Sequence, residues 1–297
     1  MLLDTPSLYF RAFFGVPESI KAPDGSPINA VRGLIDMIAT LVRVHSPTEL
    51  AATMDADWRP AFRVAAIPTY KAHRVAHGDV EVVPEALVPQ IAVIQRVLDA
   101  LGIARLESPG YEADDVIGTL THRAAGAVDI VTGDRDLFQL VDDSRPVRVL
   151  YTVRGIRNLQ IVDEAFVAAK YGIPGRAYAD FATLRGDPSD GLPGVPGVGE
   201  KSAAALITRF GSLQAMLAAL DAGDLDGFPA GARTKLAAAR DYLSAAPAVV
   251  KVAHDAPLPA ADLSLPGKPR DPEALVALAD TYGLDGPLNR LLDALRG

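Results

Sequence analysis

The sequence predicts an α/β domain on a mostly parallel central sheet, followed by a helical domain. Strand-like and helix-like stretches alternate up to about residue 174, the pattern of a parallel sheet flanked by helices. Beyond residue 175 no strand pattern remains, and short alanine-rich helices follow one another between glycines and prolines. Aromatic residues make up only 6% of the chain while alanine is abundant, which favours helices over a β-sandwich.

The elements follow in order. LLDTPSLYFRAFF opens with a short apolar strand ending at Asp4. VRGLIDMIATLVRV (31–44) places apolar residues at helical spacing. ELAATMDADW (49–58) reads as a strand running to Asp55, and 59–84 as an irregular, basic, proline-interrupted segment. VPQIAVIQRVLDALG (88–102) is a helix closed by glycine. YEADDVIGTLTHRAA (111–125) is a helix, AVDIVTGDRD (127–136) and VRVLYTV (147–153) are strands, and DEAFVAAKYG (163–172) is a helix. SAAALITRF, LQAMLAAL and RTKLAAARDYL are the helices of the second part. A proline-rich connector (253–271) leads to a helical tail. The expected domains are 1–174, with 59–84 as an excursion from it, and 175–297.

The chain has 297 residues, 49% of them hydrophobic, enough for two moderate cores. It contains no cysteine, which excludes disulfides, thiolate metal sites and cysteine nucleophiles and suits a reducing compartment. No basic segment leads into an apolar stretch at the N-terminus, and no uncharged apolar run reaches the ~20 residues of a membrane span. The expectation is a soluble cytoplasmic protein.

Net charge is −8, from 29 basic and 37 acidic residues. Taken whole, this speaks against nucleic-acid binding. The position of the acids changes that reading. Asp4 and Asp55 end predicted strands; Glu112, Asp114 and Asp115 start a helix; Asp134 and Asp136 follow a strand; Asp187 and Asp190 lie in GDPSDG. Strand C-termini and neighbouring helix N-termini share one edge of a parallel sheet, so seven of these acids meet there, and two reach it from the helical part. Setting the nine aside leaves 28 acidic against 29 basic residues. Such a cluster calls for hard divalent cations, Mg²⁺ or Mn²⁺, and two ions about 4 Å apart suit phosphoryl displacement. Each motif alone also reads as ordinary helix-capping or turn chemistry. Their recurrence at matching ends of successive elements does not.

The stretch GDPSDGLPGVPGVGEKSA (186–203) joins acids to glycines. It is no P-loop, because Glu200 intervenes between glycine and Lys201 and no strand precedes it. It reads instead as a helix-hairpin-helix, whose backbone amides and following helix N-terminus grip a nucleic-acid phosphate, with Lys201 and Ser202 adding contacts. In the basic segment, Arg59, Arg63, Lys71 and Arg74 surround Tyr70, offering charges for phosphates and a ring for an unpaired base.

Together, LLDTPSLYFRAFF, MDADWRPAFR with IPTYKAHR, GYEADDVIGTL, VTGDRDLFQL and GDPSDGLPGVPGVGEKSA resemble the 5′-nuclease (flap endonuclease) family. The likeness is closest to bacterial stand-alone relatives of the N-terminal nuclease domain of DNA polymerase I, and runs from Asp4 to about residue 250. The resemblance implies a PIN-like or resolvase-like sheet domain and a helical domain containing a helix-hairpin-helix. It implies that Asp4, Asp55, Glu112, Asp114 and Asp115 serve one metal cluster and Asp134, Asp136, Asp187 and Asp190 a second. Tyr70, Lys71 and Arg74 match the base of the helical arch, with Lys71 and Arg74 acting catalytically and Lys71 near the scissile phosphate; Arg63 belongs to the same block. Gly194, Gly197, Gly199, Lys201 and Ser202 match the duplex-gripping hairpin, which often holds K⁺. Departures are Thr5 and Gly191, where glycine and asparagine are usual, and Met54, where phenylalanine is common. The implied activity is metal-dependent cleavage of 5′ flaps and 5′ ends in replication and repair, by a monomer in the bacterial cytoplasm at the nucleoid. RNA-containing 5′ ends are further substrates, with synthesis and sealing left to a polymerase and a ligase. A PIN-type ribonuclease and a non-catalytic DNA-junction binder are the alternatives.

Overall fold

The computed structural model describes all residues except Asp79, Asp224 and Leu225. The chain begins with β1 (Leu2–Asp4), which runs directly into α1 (Thr5–Gly15), and continues through α2 (Asn29–His45) and β2 (Ala51–Thr53). The 59–84 segment is less irregular than its prolines suggest. It contains α3 (Ala61–Ala66), a 3₁₀ turn at Ala72–Arg74, and a small antiparallel pair, β3 (Val75–His77) and β4 (Val80–Glu81). Position 79 of this segment lies outside the described residues. Then come α4 (Val88–Leu101), β5 (Ala104–Leu106), α5 (Ala113–Arg123), β6 (Val128–Thr132), β7 (Val147–Tyr151), β8 (Gln160–Val162) and α6 (Glu164–Tyr171).

The strands form one sheet in the order β5-β2-β1-β6-β7-β8, parallel except for the β8 edge. Side chains alternate between its faces. Leu2, Ile130 and Val149 point into one core; Leu3, Val131 and Leu150 point into the other. Both faces are covered, which is why these strands read as nearly continuous apolar runs. From β1 the chain first extends the sheet to one side, through β2, and later to the other, through β6. The C-terminal end of β1 is therefore the switch point, where an open α/β sheet leaves a crevice.

The helical part comprises α7 (Tyr178–Arg185), α8 (Glu200–Phe210), α9 (Leu213–Asp221), α10 (Ala232–Ala238), α11 (Arg240–Ala245) and α12 (Pro247–Val250). Its core shares the cluster that covers one face of the sheet. The tail helices α13 (Pro272–Tyr282) and α14 (Asp285–Arg296) do not extend this part, although the sequence grouped them with it. They return to the opposite face, where Leu278, Leu288 and Leu291 join the core of α2 and α4, and Arg290 pairs with Asp36. Their apolar stripes are complementary to an α2 surface that would otherwise be wet.

Among the described residues no single helix is long and apolar enough to cross a membrane. The pair α8 and α9 passes by combined length and composition, but is bent by 78° and buries Leu206, Ile207, Leu213 and Met216 in the core.

Candidate active site

Eight of the nine predicted carboxylates line one pocket of about 390 Å³ at the switch point: Asp4, Asp55, Glu112, Asp114, Asp134, Asp136, Asp187 and Asp190. Asp4 ends β1 and starts α1, accepting from the Ser7 amide at 3.2 Å as its N-cap and from the Thr132 hydroxyl at 2.5 Å. Asp55 lies two residues beyond β2, because the predicted strand closes at Thr53. It accepts from the Ala113 amide at 2.7 Å, which ties it to the first turn of α5. After β6, Thr132 also accepts from the Asp134 amide, and Asp134 in turn from the Asp136 amide, each at 2.8 Å. These turn bonds aim two aspartates off one strand end.

The turn between α7 and α8 brings Asp187 and Asp190. Asp187 accepts from the Ser189 amide at 2.9 Å and from Arg135 at 3.3 Å and Arg185 at 3.5 Å. Burial alone would raise its pKa, but the Ser189 hydroxyl and amide, helped by the two arginines, hold it below the usual range. Sequence reasoning passed over Arg135, although it stands inside the GDRD motif, and over Arg185, just before GDPSDG.

Asp115 goes elsewhere. It is fully buried and bonded bidentately to Arg63 at 2.7 and 2.8 Å, and it also accepts from the Ala253 amide at 2.8 Å and the Glu112 amide at 3.1 Å. The assignment of Asp115 to the metal set is corrected: its acceptor sites are taken by partners inside the protein. Arg63, proposed as a DNA contact, is 2% exposed and also donates to the Val249 carbonyl, so it holds the fold. Tyr70 is 3% exposed, donates its hydroxyl to Glu112 at 2.7 Å, and has the Lys71 ammonium 5.1 Å from its ring centroid. Its ring is not available to a base. The aromatic rings that do border the pocket belong to Phe10, Trp58 and Tyr151.

Lys71 and Arg74 line the pocket as expected. The Lys71 ammonium is ion-paired with Glu112, and Arg74 with Asp190 at 3.1 Å. Burial would lower the Lys71 pKa, but the Glu112 carboxylate outweighs it and keeps the ammonium charged. Lys71 also holds a left-handed backbone (φ 48°), a strained conformation for a lysine that marks a constrained site.

Nine acidic side chains, Glu81 included, line this pocket against three basic ones. Burial, then the charge of Glu112, pushes Asp55 up to about 7; burial pushes Asp190 up to about 6 against the pull of Lys71. Asp4, Asp114 and Asp136 are raised as well, chiefly by burial and then, for Asp114 and Asp136, by neighbouring carboxylates. The Oδ1 atom of Asp136 is buried with no hydrogen-bond partner. An orphaned hard oxygen among crowded carboxylates is what a divalent cation would relieve, so the residues fit a hard divalent ion. Among the described residues no three acidic or histidine side chains are already drawn into a single cage. A divalent ion bound through retained waters with one or two direct carboxylates requires no such cage.

Beside the pocket, LPGVPGVG (192–199) forms the predicted hairpin before α8. A Cβ on Gly194 would stand 2.5 Å from the Arg185 carbonyl, so close backbone packing demands that glycine. Gly199 has nothing within 4 Å, which leaves room for a ligand to approach. It is the N-cap of α8 without a side-chain cap, and Lys201 and Ser202 are exposed on the first turn.

Comparison with known proteins agrees in fold. The family described as 5′-3′ exonuclease, N-terminal resolvase-like domain, matches residues 1–172, and that described as 5′-3′ exonuclease, C-terminal SAM fold, matches residues 173–273. A 5′-3′ exonuclease of Streptomyces coelicolor is 61% identical over 99% of this chain and 99% of its own length. A 5′-3′ exonuclease of Mycobacterium tuberculosis is 51% identical over 99% of this chain and 97% of its own. DNA polymerase I of Mycobacterium bovis is 46% identical over 75% of this chain, which corresponds to 24% of that protein. Among solved structures, the T5 D15 protein co-crystallized with metal ions superposes with a TM-score of 0.65 at 17% identity, covering 99% of this chain and 97% of that one. The catalytic core of Rad2 in complex with DNA substrate gives 0.57 at 18%, covering 98% and 92%. At such identity these two likenesses speak for the fold.

Proposed function

The chain belongs to the 5′-3′ exonuclease family, and on that premise we propose that this nuclease cuts DNA near junctions of single strand and duplex, at 5′ flaps and 5′ ends. The observation that carries the reading is the convergence of eight carboxylates from five separate stretches on one pocket, two of them on the turn that leads into the glycine hairpin. The hairpin supports a grip on duplex backbone, and the turn ties that grip to the pocket. The match of residues 173–273 to the family's C-terminal domain favours this reading over a PIN-type ribonuclease.

In this reading Asp4, Asp55, Glu112, Asp114, Asp134, Asp136, Asp187 and Asp190 hold Mg²⁺ or Mn²⁺, directly or through water. Bound divalent ions would supply Lewis acidity at the phosphate and a water of lowered pKa. The chain's own groups do the rest. Lys71 and Arg74 bring permanent positive charge to the scissile phosphate, where charge develops during displacement. Arg135 and Arg185 orient Asp187. Phe10 and Trp58 give sugar and base an apolar wall in an otherwise charged pocket. K⁺ at the hairpin carbonyls completes the grip. The products would be a 5′-phosphate and a 3′-hydroxyl. Flap and RNA-containing 5′ ends, work alongside a polymerase and a ligase, a monomeric state and a cytoplasmic place belong to the same proposal. The lack of cysteine is supporting composition for the last.

The test is cleavage of a labelled 5′-flap duplex with Mg²⁺ or Mn²⁺, with and without chelator, by the parent and Asp134→Asn. The parent should cut near the junction only with metal; the variant should bind but cut orders of magnitude more slowly. Equal rates would remove Asp134 from the metal set.

A further inference from the structure

Where α12 ends, residues 249–253 run along α5 as a strap from the helical part onto the sheet domain. The strap lies close: a Cβ on Gly118 of α5 would stand 2.5 Å from the Ala253 carbonyl and 2.7 Å from the Val252 side chain. The last carbonyls of a helix have no amide of their own helix to accept from. Here side chains of the sheet domain donate to them, Arg63 to the Val249 carbonyl and Gln139 to the Val250 carbonyl, each at 3.0 Å. Gln139 also accepts from the Val252 amide at 3.1 Å, and Asp115 from the Ala253 amide at 2.8 Å.

Gln139 has a second attachment. It stands in the 3₁₀ turn Asp136–Leu140, and its side-chain amide also donates to the Asp136 carbonyl at 2.8 Å. Both donors and the acceptor oxygen of one side chain are thus spent on backbone, on two sides of the seam. Asp136 is thereby held at both ends, its amide on Asp134 and its carbonyl on Gln139, while its Oδ1 stays buried and unpartnered. That oxygen has no bond to aim it; the clamped backbone does so. A strut between the two parts would need only the strap. The bond to Asp136 brings a residue of the carboxylate pocket into the joint.

We propose that Gln139 is a positioning residue for the metal site: it fixes Asp136 to the strap, so that the helical part sets where the Asp136 carboxylate meets a divalent ion. The inference rests on the reading of Asp136 as a metal ligand. Gln139 is not among the residues that line the pocket, and it acts through Asp136.

The test titrates Mn²⁺ calorimetrically into the protein without DNA, beside flap cleavage in Mn²⁺ and thermal melts in chelator. It compares the parent with Gln139→Met, Gln139→Asn and Thr119→Val. Methionine keeps the length of glutamine without its bonds; asparagine keeps the amide but is too short to span strap and turn. Thr119 latches the strap farther along, accepting from the Ala256 amide at 3.0 Å and donating to the Ala253 carbonyl at 3.4 Å, and it bonds none of the pocket carboxylates. Gln139→Met should bind Mn²⁺ about tenfold or more weakly and lower kcat, with KM for the flap within about twofold of the parent. Gln139→Asn should fall between Gln139→Met and the parent. Thr119→Val should melt earlier and keep the parent's Mn²⁺ affinity. Parent-like Mn²⁺ affinity in Gln139→Met, or an equal loss in Thr119→Val, would reduce Gln139 to a strut between the two parts and overturn the proposal. If Gln139→Met does not fold, Gln139→Asn decides by the same comparison. A parent that takes up no Mn²⁺ and cuts no flap sinks the metal reading itself, and this inference with it; a parent that does both beside an unaffected Gln139→Met sinks only the role of Gln139.

Discussion

The backbone amide of Lys71 donates to the carbonyl of Asp190 at 3.0 Å, so the Thr69–Arg74 segment and the acid-bearing turn are held as one unit. The Thr69 hydroxyl adds a bond to the Gly191 carbonyl at 3.1 Å, and Arg74 adds bonds to the Ser189 carbonyl at 3.0 Å and the Asp190 carboxylate at 3.1 Å. The cations assigned to the phosphate are thereby fixed relative to the carboxylates assigned to the metal.

Gly191 makes that seam possible. Its φ is +71°, and a Cβ would lie 2.3 Å from the Thr69 carbonyl. Gly191→Ala should therefore destabilise the protein by about 1–3 kcal/mol, lowering the melting temperature by several degrees, and slow cleavage at least tenfold as Asp190 moves. Gly191→Asn separates the two causes: asparagine tolerates positive φ but not the close approach. If it melts and cuts like the parent, steric contact with Thr69 is not what the glycine serves.

Arg63 is expected to matter for stability. Replacing it with methionine leaves Asp115, which is fully buried, without its bidentate partner. Loss of one member of a buried pair costs about 3–5 kcal/mol. Denaturant melts of Arg63→Met should show that loss, and Arg63→Met with Asp115→Asn should recover part of it. A variant that melts like the parent but releases DNA would restore Arg63 to the interface.

Much of this was legible in the sequence. The acids cluster because strand ends share an edge, and Asp4, Asp134 and Asp136 fall at the switch point, as the alternation implied. Asp115 and Tyr70 were misread for one reason: in EADD and TYKAHR, one-dimensional spacing does not say which polar side chain faces inward. Both are held by long-range partners, Asp115 by Arg63 and Ala253, Tyr70 by Glu112. The strands β5 and β8 were passed over because a polar residue, Arg105 or Gln160, breaks the short apolar run that marked β1 and β2.

Trp58 offers a direct readout. It is the sole tryptophan of the chain and borders the pocket, and its carbonyl accepts from Lys71 at 3.4 Å. Flap DNA added in Ca²⁺ should change its emission in a saturable way, with a midpoint matching independent binding measurements. Duplex lacking a single-stranded arm should change it less. An emission unmoved by either would place the reacting strand away from this wall.

The crowded carboxylates give stability a pH dependence opposite to that of a salt-bridged surface. An acid whose folded pKa is raised keeps its proton more readily when folded, so its contribution is fully present below the unfolded pKa and is lost as pH rises through the folded value. Asp55, pushed up to about 7, and Asp190, to about 6, set the window from about pH 4 to about pH 7, and Asp4, Asp114 and Asp136 shift in the same direction. Asp187 is shifted the other way, with stability lost only as pH falls through its lowered value, below that window. In chelator, the melting temperature should therefore fall between pH 5 and pH 8. Divalent cations bind the deprotonated ligands, so millimolar Mg²⁺ should raise the melting temperature at pH 8 more than at pH 5; a site filled to a hundred times its dissociation constant gains about 2.7 kcal/mol. Calorimetry at the two pH values, with chelator and with Mg²⁺, decides it. A chelated protein that grows steadily more stable up to pH 8, or one equally indifferent to Mg²⁺ at both, would mean that these carboxylates do not share a strained, cation-seeking pocket.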